Sequence, residues 1–201
     1  MSGVNKNIGI YGGTFDPVHE GHLKVVQSVL SKLKLDVLYV VAARNPWMKK
    51  GKKITPYTHR LNMLGLVFEQ EKKTNILAEG KERELSYSID TVVDVEKKHP
   101  GANVFLIVGE DVVCDFEKWE KAKILLNKVT LVCVKREGRS SVELDKKIKQ
   151  TNRNAKVVFL EKVNDVVSSS AYREKGATRF MNKDVLKYIK THRLYEYERQ
   201  N

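Results

Sequence analysis

Cysteine and proline are scarce in this chain, with two cysteines and four prolines in 201 residues. Cys114 and Cys133 lie far apart, each beside an apolar run. They read as buried thiols in a reducing compartment rather than as a disulfide or a metal pair. A cytoplasmic location is expected, and a nuclear one is compatible. No apolar run reaches the roughly 18 residues that a membrane span needs. Residues Met1–Asn7 hold no long apolar segment, so a secretory signal is not expected either. Repeats, low-complexity tracts and Pro/Ser linkers are also missing. Acids are the minority charge, 25 Asp and Glu against 37 Lys and Arg, for a formal net charge of +12. That balance suits a polyanionic partner: nucleic acid, an acidic membrane surface or a phosphorylated small molecule.

What is present is the patterning of a folded core. Hydrophobic residues make up 41% of the chain, and a length near 200 residues fits one domain. Apolar, β-branched runs at Ile8–Tyr11, Val37–Val41, Asn75–Ala78, Val104–Val108, Val129–Val134 and Val157–Leu160 predict strands. The first of them is expected to stop at Gly12-Gly13. Helical periodicity covers Glu20–Leu33, Pro56–Gln70, Ser88–Lys98, Trp119–Asn127, Val142–Gln150 and Asp184–Lys190. The alternation predicts an α/β fold: a Rossmann-like parallel sheet with helices on both faces, and a small C-terminal helical part from about residue 168. Ligands in such sheets bind beyond the carboxyl ends of the strands.

Six cations and no acid fall between Arg44 and Arg60: Arg44, Lys49, Lys50, Lys52, Lys53 and Arg60. With Pro46, Gly51 and Pro56 in it, the stretch reads as a loop, either simply solvated or phosphate-binding. The mixed-charge stretches Lys135–Lys156 and Lys183–Arg193 read as ordinary solvated faces.

Chemistry concentrates after the first strand. Residues 9–22 read Gly-Ile-Tyr-Gly-Gly-Thr-Phe-Asp-Pro-Val-His-Glu-Gly-His. Gly12 and Gly13 let the backbone approach a ligand without a Cβ in the way. The first-turn amides of the following helix form an anion site. His19 and His22, three residues apart, fall on one side of that turn. No third ligand lies nearby in sequence to make them a zinc site.

Gly12-Gly13-Thr14-Phe15-Asp16-Pro17 followed by His19-x-x-His22 resembles the nucleotidyltransferase superfamily with the His-x-Gly-His signature. Pantetheine-phosphate, glycerol-phosphate and choline-phosphate transferases and class I aminoacyl-tRNA synthetases share that signature, so further motifs must choose the branch. Val167-Ser168-Ser169-Ser170-Ala171-Tyr172-Arg173 resembles the Ile-Ser-Ser-Thr-x-Ile-Arg motif of nicotinamide/nicotinate mononucleotide adenylyltransferases. Taken alone, such a Ser cluster is ordinarily a helix cap. Ser86-Tyr87-Ser88-Ile89-Asp90-Thr91 resembles that family's Ser-Tyr-Thr-x-Asp-Thr element. Gly109-Glu110-Asp111 with Trp119 resembles its Gly-x-Asp…Trp element, although a lone Trp is ordinarily core. Tyr188-Ile189…Leu194-Tyr195 matches the family's C-terminal helix and tail. Pro46-Trp47-Met48-Lys49 departs from the bacterial Pro-Pro-His-Lys, and Ser170 and Tyr172 replace the commoner Thr and Ile.

The resemblance implies transfer of the adenylyl group of ATP to nicotinate or nicotinamide mononucleotide. It implies His22 at the α-phosphate and His19 at the triphosphate. Gly12, Gly13 and the amides of Thr14 and Phe15 would line the ATP site, Gly109 and Asp111 would hold the ribose, and Ser169, Ser170 and Arg173 the β- and γ-phosphates. Lys49, or Lys50 in its place, would meet the mononucleotide phosphate, and Ser88 and Trp119 the pyridine. Mg²⁺ would be held mainly by ATP phosphates. Membrane and nucleic-acid partners are not expected, and a homo-oligomer is compatible. The alternatives are another small-molecule adenylyl- or cytidylyltransferase of the superfamily or, from a different class, a basic nucleic-acid-binding module.

Overall fold

A computed structural model describes residues 5–80, 84–135, 139–161 and 168–195. Expectations that fall on residues 1–4, on Val167 and on residues 196–201 of the C-terminal part lie outside the described residues.

Six strands form one parallel sheet: β1 (Asn7–Gly13), β2 (Val37–Ala42), β3 (Thr74–Ala78), β4 (Asn103–Gly109), β5 (Val129–Val134) and β6 (Lys156–Leu160). Their order across the sheet is β3-β2-β1-β4-β5-β6. The chain therefore winds outward from β1 in one direction, returns to the middle, and winds outward in the other from β4. The switch point lies between β1 and β4, paired from Asn7↔Asn103 to Tyr11↔Ile107, and a crevice opens beyond their carboxyl ends.

Strand alternation feeds two cores. Leu38, Val40 and Ala42 of β2 point to the layer of α1 (Glu20–Lys32) and α2 (Tyr57–Phe68). Tyr39 and Val41 point to the other layer, of α3 (Ser88–Lys98), α5 (Ala122–Lys128) and α6 (Ser141–Thr151). With both faces covered, the central strands must read as nearly continuous apolar runs, as Val37–Ala42 does. The short helices α4 (Glu110–Val113) and α7 (Ser169–Lys175) flank the crevice, and α8 (Lys183–Thr191) packs on α2.

Two expectations need correction. β1 does not stop at Gly12-Gly13: both glycines pair in register with Val41 and Ala42, and the turn follows them, with Phe15 in the left-handed region (φ 50°). The helix expected from Trp119 starts only at Ala122, because Lys121 adopts a left-handed backbone (φ 52°) that breaks it from the single 3-10 turn Phe116–Lys118. Both cysteines are free; Cys133 is buried, Cys114 only half-buried. Among the described residues no helix is long and apolar enough to cross a membrane.

Candidate active site

A cavity of about 510 Å³ opens at the switch point. The ends of β1 and β4 form its floor, α1 begins on one side, and the Pro46–Lys52 segment and the start of α3 form the other. It gathers most of the residues singled out in the sequence. Gly12, Gly13, Thr14, Phe15, His19 and His22 line it, as do Lys49, Ser88, Gly109, Asp111 and Trp119.

The glycines have distinct reasons. A Cβ on Gly12 would meet nothing within 4 Å, so any side chain there would project into the cavity. One on Gly13 would stand 2.9 Å from the Phe15 ring, and one on Gly109 would collide with the Asp111 carboxylate. The strand ends are thus small because the cavity floor is backbone.

His19 is the N-cap residue of α1 and is almost fully buried, and His22 sits three residues on. Their rings stack at 3.7 Å, and Phe15 meets His22 edge-on at 4.9 Å, which clamps the His22 imidazole between two neighbours. The His19 backbone N–H donates to His22 Nδ1 at 3.1 Å. A neutral imidazole that accepts at Nδ1 carries its proton on Nε2. His22 thereby holds a fixed N–H donor in the cavity wall.

The loop between β1 and α1 is held from outside the cavity. The Arg173 guanidinium donates to the Asp16 carbonyl (2.5 Å), and Ser169 Oγ donates to that of Pro17 (2.9 Å). The Asp16 carboxylate accepts from Tyr195 Oη (2.8 Å) and from the Thr55 backbone N–H (3.2 Å). Ser169, Ser170 and Arg173 are therefore not part of the cavity wall; Ser168, the N-cap of α7, is. Arg173 also donates to Ser170 Oγ at 3.3 Å.

Across the opening, Lys49 lines the wall at the end of a 3-10 turn, whereas Lys50 is exposed and does not. Burial pulls the Lys49 pKa below that of an ordinary lysine, and the Arg173 charge adds to this, with Asp16 partly opposing. The Arg44–Arg60 stretch is not loop throughout. Arg60 is fully buried inside α2, and Arg44 packs its guanidinium 4.0 Å over the Tyr57 ring. Lys52 joins Lys49 in the wall. So does Lys135, at the end of β5, which corrects its reading as a solvated face. Trp119 stacks one face on Phe116 (4.7 Å, 19°), so a planar ring in the cavity would meet the other face.

Sequence reasoning missed Ser168 as a wall residue, Lys52 and Lys135 as wall cations, and the buried tethers Arg60, Asp16 and Tyr195. A cation immediately after an apolar strand was the available signal for Lys135. For Tyr195, 179 positions from its partner Asp16, no local pattern exists.

The switch-point crevice with a histidine pair beside open glycines defines a nucleotidyltransferase-type α/β protein, and residues 10–175 match the cytidylyltransferase-like family model. "Probable nicotinate-nucleotide adenylyltransferase" of Bacillus cytotoxicus is 36% identical over 98% of this chain and 97% of its own length. The protein of the same name from Clostridium tetani is 35% identical over 85% of this chain and 86% of its own. In fold, the chain is similar to the nicotinic acid mononucleotide adenylyltransferase of Plasmodium falciparum, solved with APC and with NaAD. The TM-score is 0.77 at 21% identity for the APC complex, over 96% of this chain and 98% of that one. The chain belongs to the nicotinate-nucleotide adenylyltransferase branch of the cytidylyltransferase-like family.

Proposed function

We propose that this protein transfers the adenylyl group of ATP to nicotinate mononucleotide, forming deamido-NAD and releasing pyrophosphate in NAD biosynthesis. Nicotinamide mononucleotide is the competing acceptor. The observation that carries the reading is the stacked His19–His22 pair, with His22 Nδ1 taken by the His19 N–H, set beside the glycine-floored crevice at the switch point. The names of the relatives at 34–36% identity favour nicotinate.

A phosphate oxygen of the mononucleotide attacks the α-phosphorus of ATP. The bond from that phosphorus to the bridging oxygen breaks, and pyrophosphate leaves with the electron pair. A phosphate monoester is already an anionic nucleophile, so no strong general base is required. The protein's part is positioning and charge stabilisation. His22 Nε2–H meets the α-phosphate, His19 the triphosphate, and the Thr14 and Phe15 amides line the same path. Gly109 and Asp111 sit where the ribose would lie. Lys49 meets the mononucleotide phosphate, and the open face of Trp119 stacks on the pyridine with Ser88 beside it. Of this segment Ser168 is in the wall, while Ser169 and Arg173, the latter bonded to Ser170, serve the triphosphate by holding the loop that faces it.

Among the described residues no group of three or more His, Cys, Asp or Glu could cage a metal ion. Mg²⁺ would be held mainly by ATP phosphate oxygens and water, neutralising charge on the triphosphate. The free thiols fit a cytoplasmic setting.

The test is pyrophosphate release with ATP and Mg²⁺, run in parallel on the two mononucleotides. Turnover with a higher kcat/KM for nicotinate mononucleotide is expected, with none when Mg²⁺ is omitted. No turnover with either, in a protein that binds ATP, would overturn the reading in favour of a sister transferase.

A further inference from the structure

Arg60 stands out as a cation with no role in the chemistry above. It lies in the first turn of α2, is 1% exposed, and is the largest of the fully buried side chains. Among the described residues its guanidinium makes no hydrogen bond or ion pair with a carboxylate oxygen. Instead it donates to four backbone carbonyls: Nε to Thr55 (2.9 Å), Nη1 to Thr14 (2.8 Å) and Ala43 (2.7 Å), and Nη2 to Arg44 (3.0 Å). These belong to three separate segments: the loop after β1, the end of β2, and the lead into α2.

A trans peptide points its N–H opposite to its C=O. Thr55 precedes Pro56, which has no N–H; each of the other three carbonyls drawn to Arg60 turns the next residue's N–H away from it. At Ala43 that is the Arg44 N–H, which donates to Glu79 Oε2 at 2.8 Å. At Arg44 it is the Asn45 N–H, which donates to Ser86 Oγ at 3.0 Å. At Thr14 it is the Phe15 N–H. The Thr14–Phe15 peptide is trans, the residue lines the cavity, and its N–H has no acceptor among the described residues. Two of the three amides aimed by Arg60 have protein acceptors, and the third belongs to a residue of the cavity wall.

We propose that Arg60 is a positioning residue for adenylyl transfer: by binding the Thr14 carbonyl from behind, it aims the Phe15 amide at the transferred phosphoryl group. A guanidinium is suited to this because its planar fork serves several acceptors in fixed directions and stays protonated. A lysine offers one rotating ammonium and cannot reach all four carbonyls in the same geometry. The proposal rests on the adenylyl-transfer reading, which wild-type turnover tests separately.

The experiment compares Arg60→Lys, Arg60→Met and the core variant Met63→Ala, a buried residue of the same helix, well below each variant's Tm. Loss of one preorganised donor at developing charge is worth about 10²–10³ in kcat. Arg60→Met is expected to lose that much with the mononucleotide KM unchanged, and Arg60→Lys to recover part of it. The two diastereomers of ATPαS supply a readout that fold stability does not move. Their kcat/KM ratio is expected to shift toward unity in both Arg60 variants and to stay at the wild-type value in Met63→Ala. An unchanged ratio in folded Arg60 variants would overturn the proposal. Should neither variant fold, wild-type amide NMR decides. A non-hydrolysable ATP analogue is expected to move the Phe15 N–H downfield and slow its exchange while leaving Arg44 and Asn45 in place. An unmoved Phe15 amide in protein saturated with the analogue would refute the assignment.

Discussion

The two nitrogens of His22 do different work, and two substitutions separate them. Nδ1 accepts the His19 N–H at 3.1 Å and so finishes the first turn of α1, while Nε2 carries the donor meant for the α-phosphate. Asparagine places an acceptor where Nδ1 stands and nothing where Nε2 stands. Glutamine reaches the Nε2 position with a donor but leaves the His19 N–H unanswered. His22→Asn is therefore expected to keep its stability and lose about 10²–10³ in kcat, or ~3–4 kcal/mol of transition-state stabilisation. His22→Gln is expected to retain more of kcat and to lose the cap, about 0.5–2 kcal/mol. For a domain of this size each kcal/mol moves Tm by about 2–4 °C. Thermal unfolding and pyrophosphate release at saturating ATP, measured on both variants, complete the test. If His22→Asn turned over like the wild type, or if the variants ranked in the opposite order, the division of labour between the nitrogens would be wrong.

Trp119→Ala should raise the KM for the pyridine mononucleotide more than it lowers kcat, since stacking on the open indole face acts on ground and transition states alike; steady-state kinetics would expose the reverse pattern. Burial and Arg173 make Lys49 give up its proton at a lower pH than the ordinary lysine value of 10.5. The KM for the mononucleotide should therefore climb before that pH is reached, and Lys49→Arg should postpone the climb; identical profiles would remove Lys49 from the phosphate. Tyr195→Phe deletes a donor to the buried Asp16 carboxylate, at about 1–3 kcal/mol, read as a lower urea midpoint with unchanged m-value. Burial pushes the Cys133 thiol from 9.0 up to about 12. The folded state then keeps a proton that the unfolded chain releases, so stability is intact below about pH 9 and falls as pH rises toward 12. Urea midpoints at pH 7 and 10 should differ less in Cys133→Ala than in the wild type.

The sheet was legible in the sequence because buried parallel strands leave a mark that survives averaging. Val37–Val41 and Val129–Val134 could hardly be anything else once helical stretches separate them. The histidine pair was legible for a similar reason: glycines, a turn and two imidazoles at helical spacing fall within fourteen consecutive residues. Arg60 was hidden by its type. A cation at the head of an amphipathic helix looks solvated, and only the three-dimensional meeting of Thr14, Ala43, Arg44 and Thr55 shows why it is buried. The break before α5 was hidden by conformation, since nothing in Lys121 announces a left-handed backbone. Ser169, Ser170 and Arg173 matched a motif faithfully, yet the motif could not say that two of the three hold the carbonyls of the β1–α1 loop.

These tethers share one polarity. Arg60, Arg173 and Ser169 all donate to carbonyls of the loop, at Thr14, Asp16 and Pro17 respectively. Donors on the outer side turn peptide oxygens outward, and they leave N–H groups and the His22 Nε2–H for the cavity. Two guanidinium charges also remain behind the loop, close enough to depress the Lys49 pKa. A polyphosphate entering the cavity meets a positive field already paid for in the folded protein. It also relieves the repulsion on Lys49, which should take up a proton when nucleotide binds at alkaline pH. The acid in the loop, Asp16, opposes this only in part, because its carboxylate is turned to Tyr195 and Thr55 and away from the cavity wall.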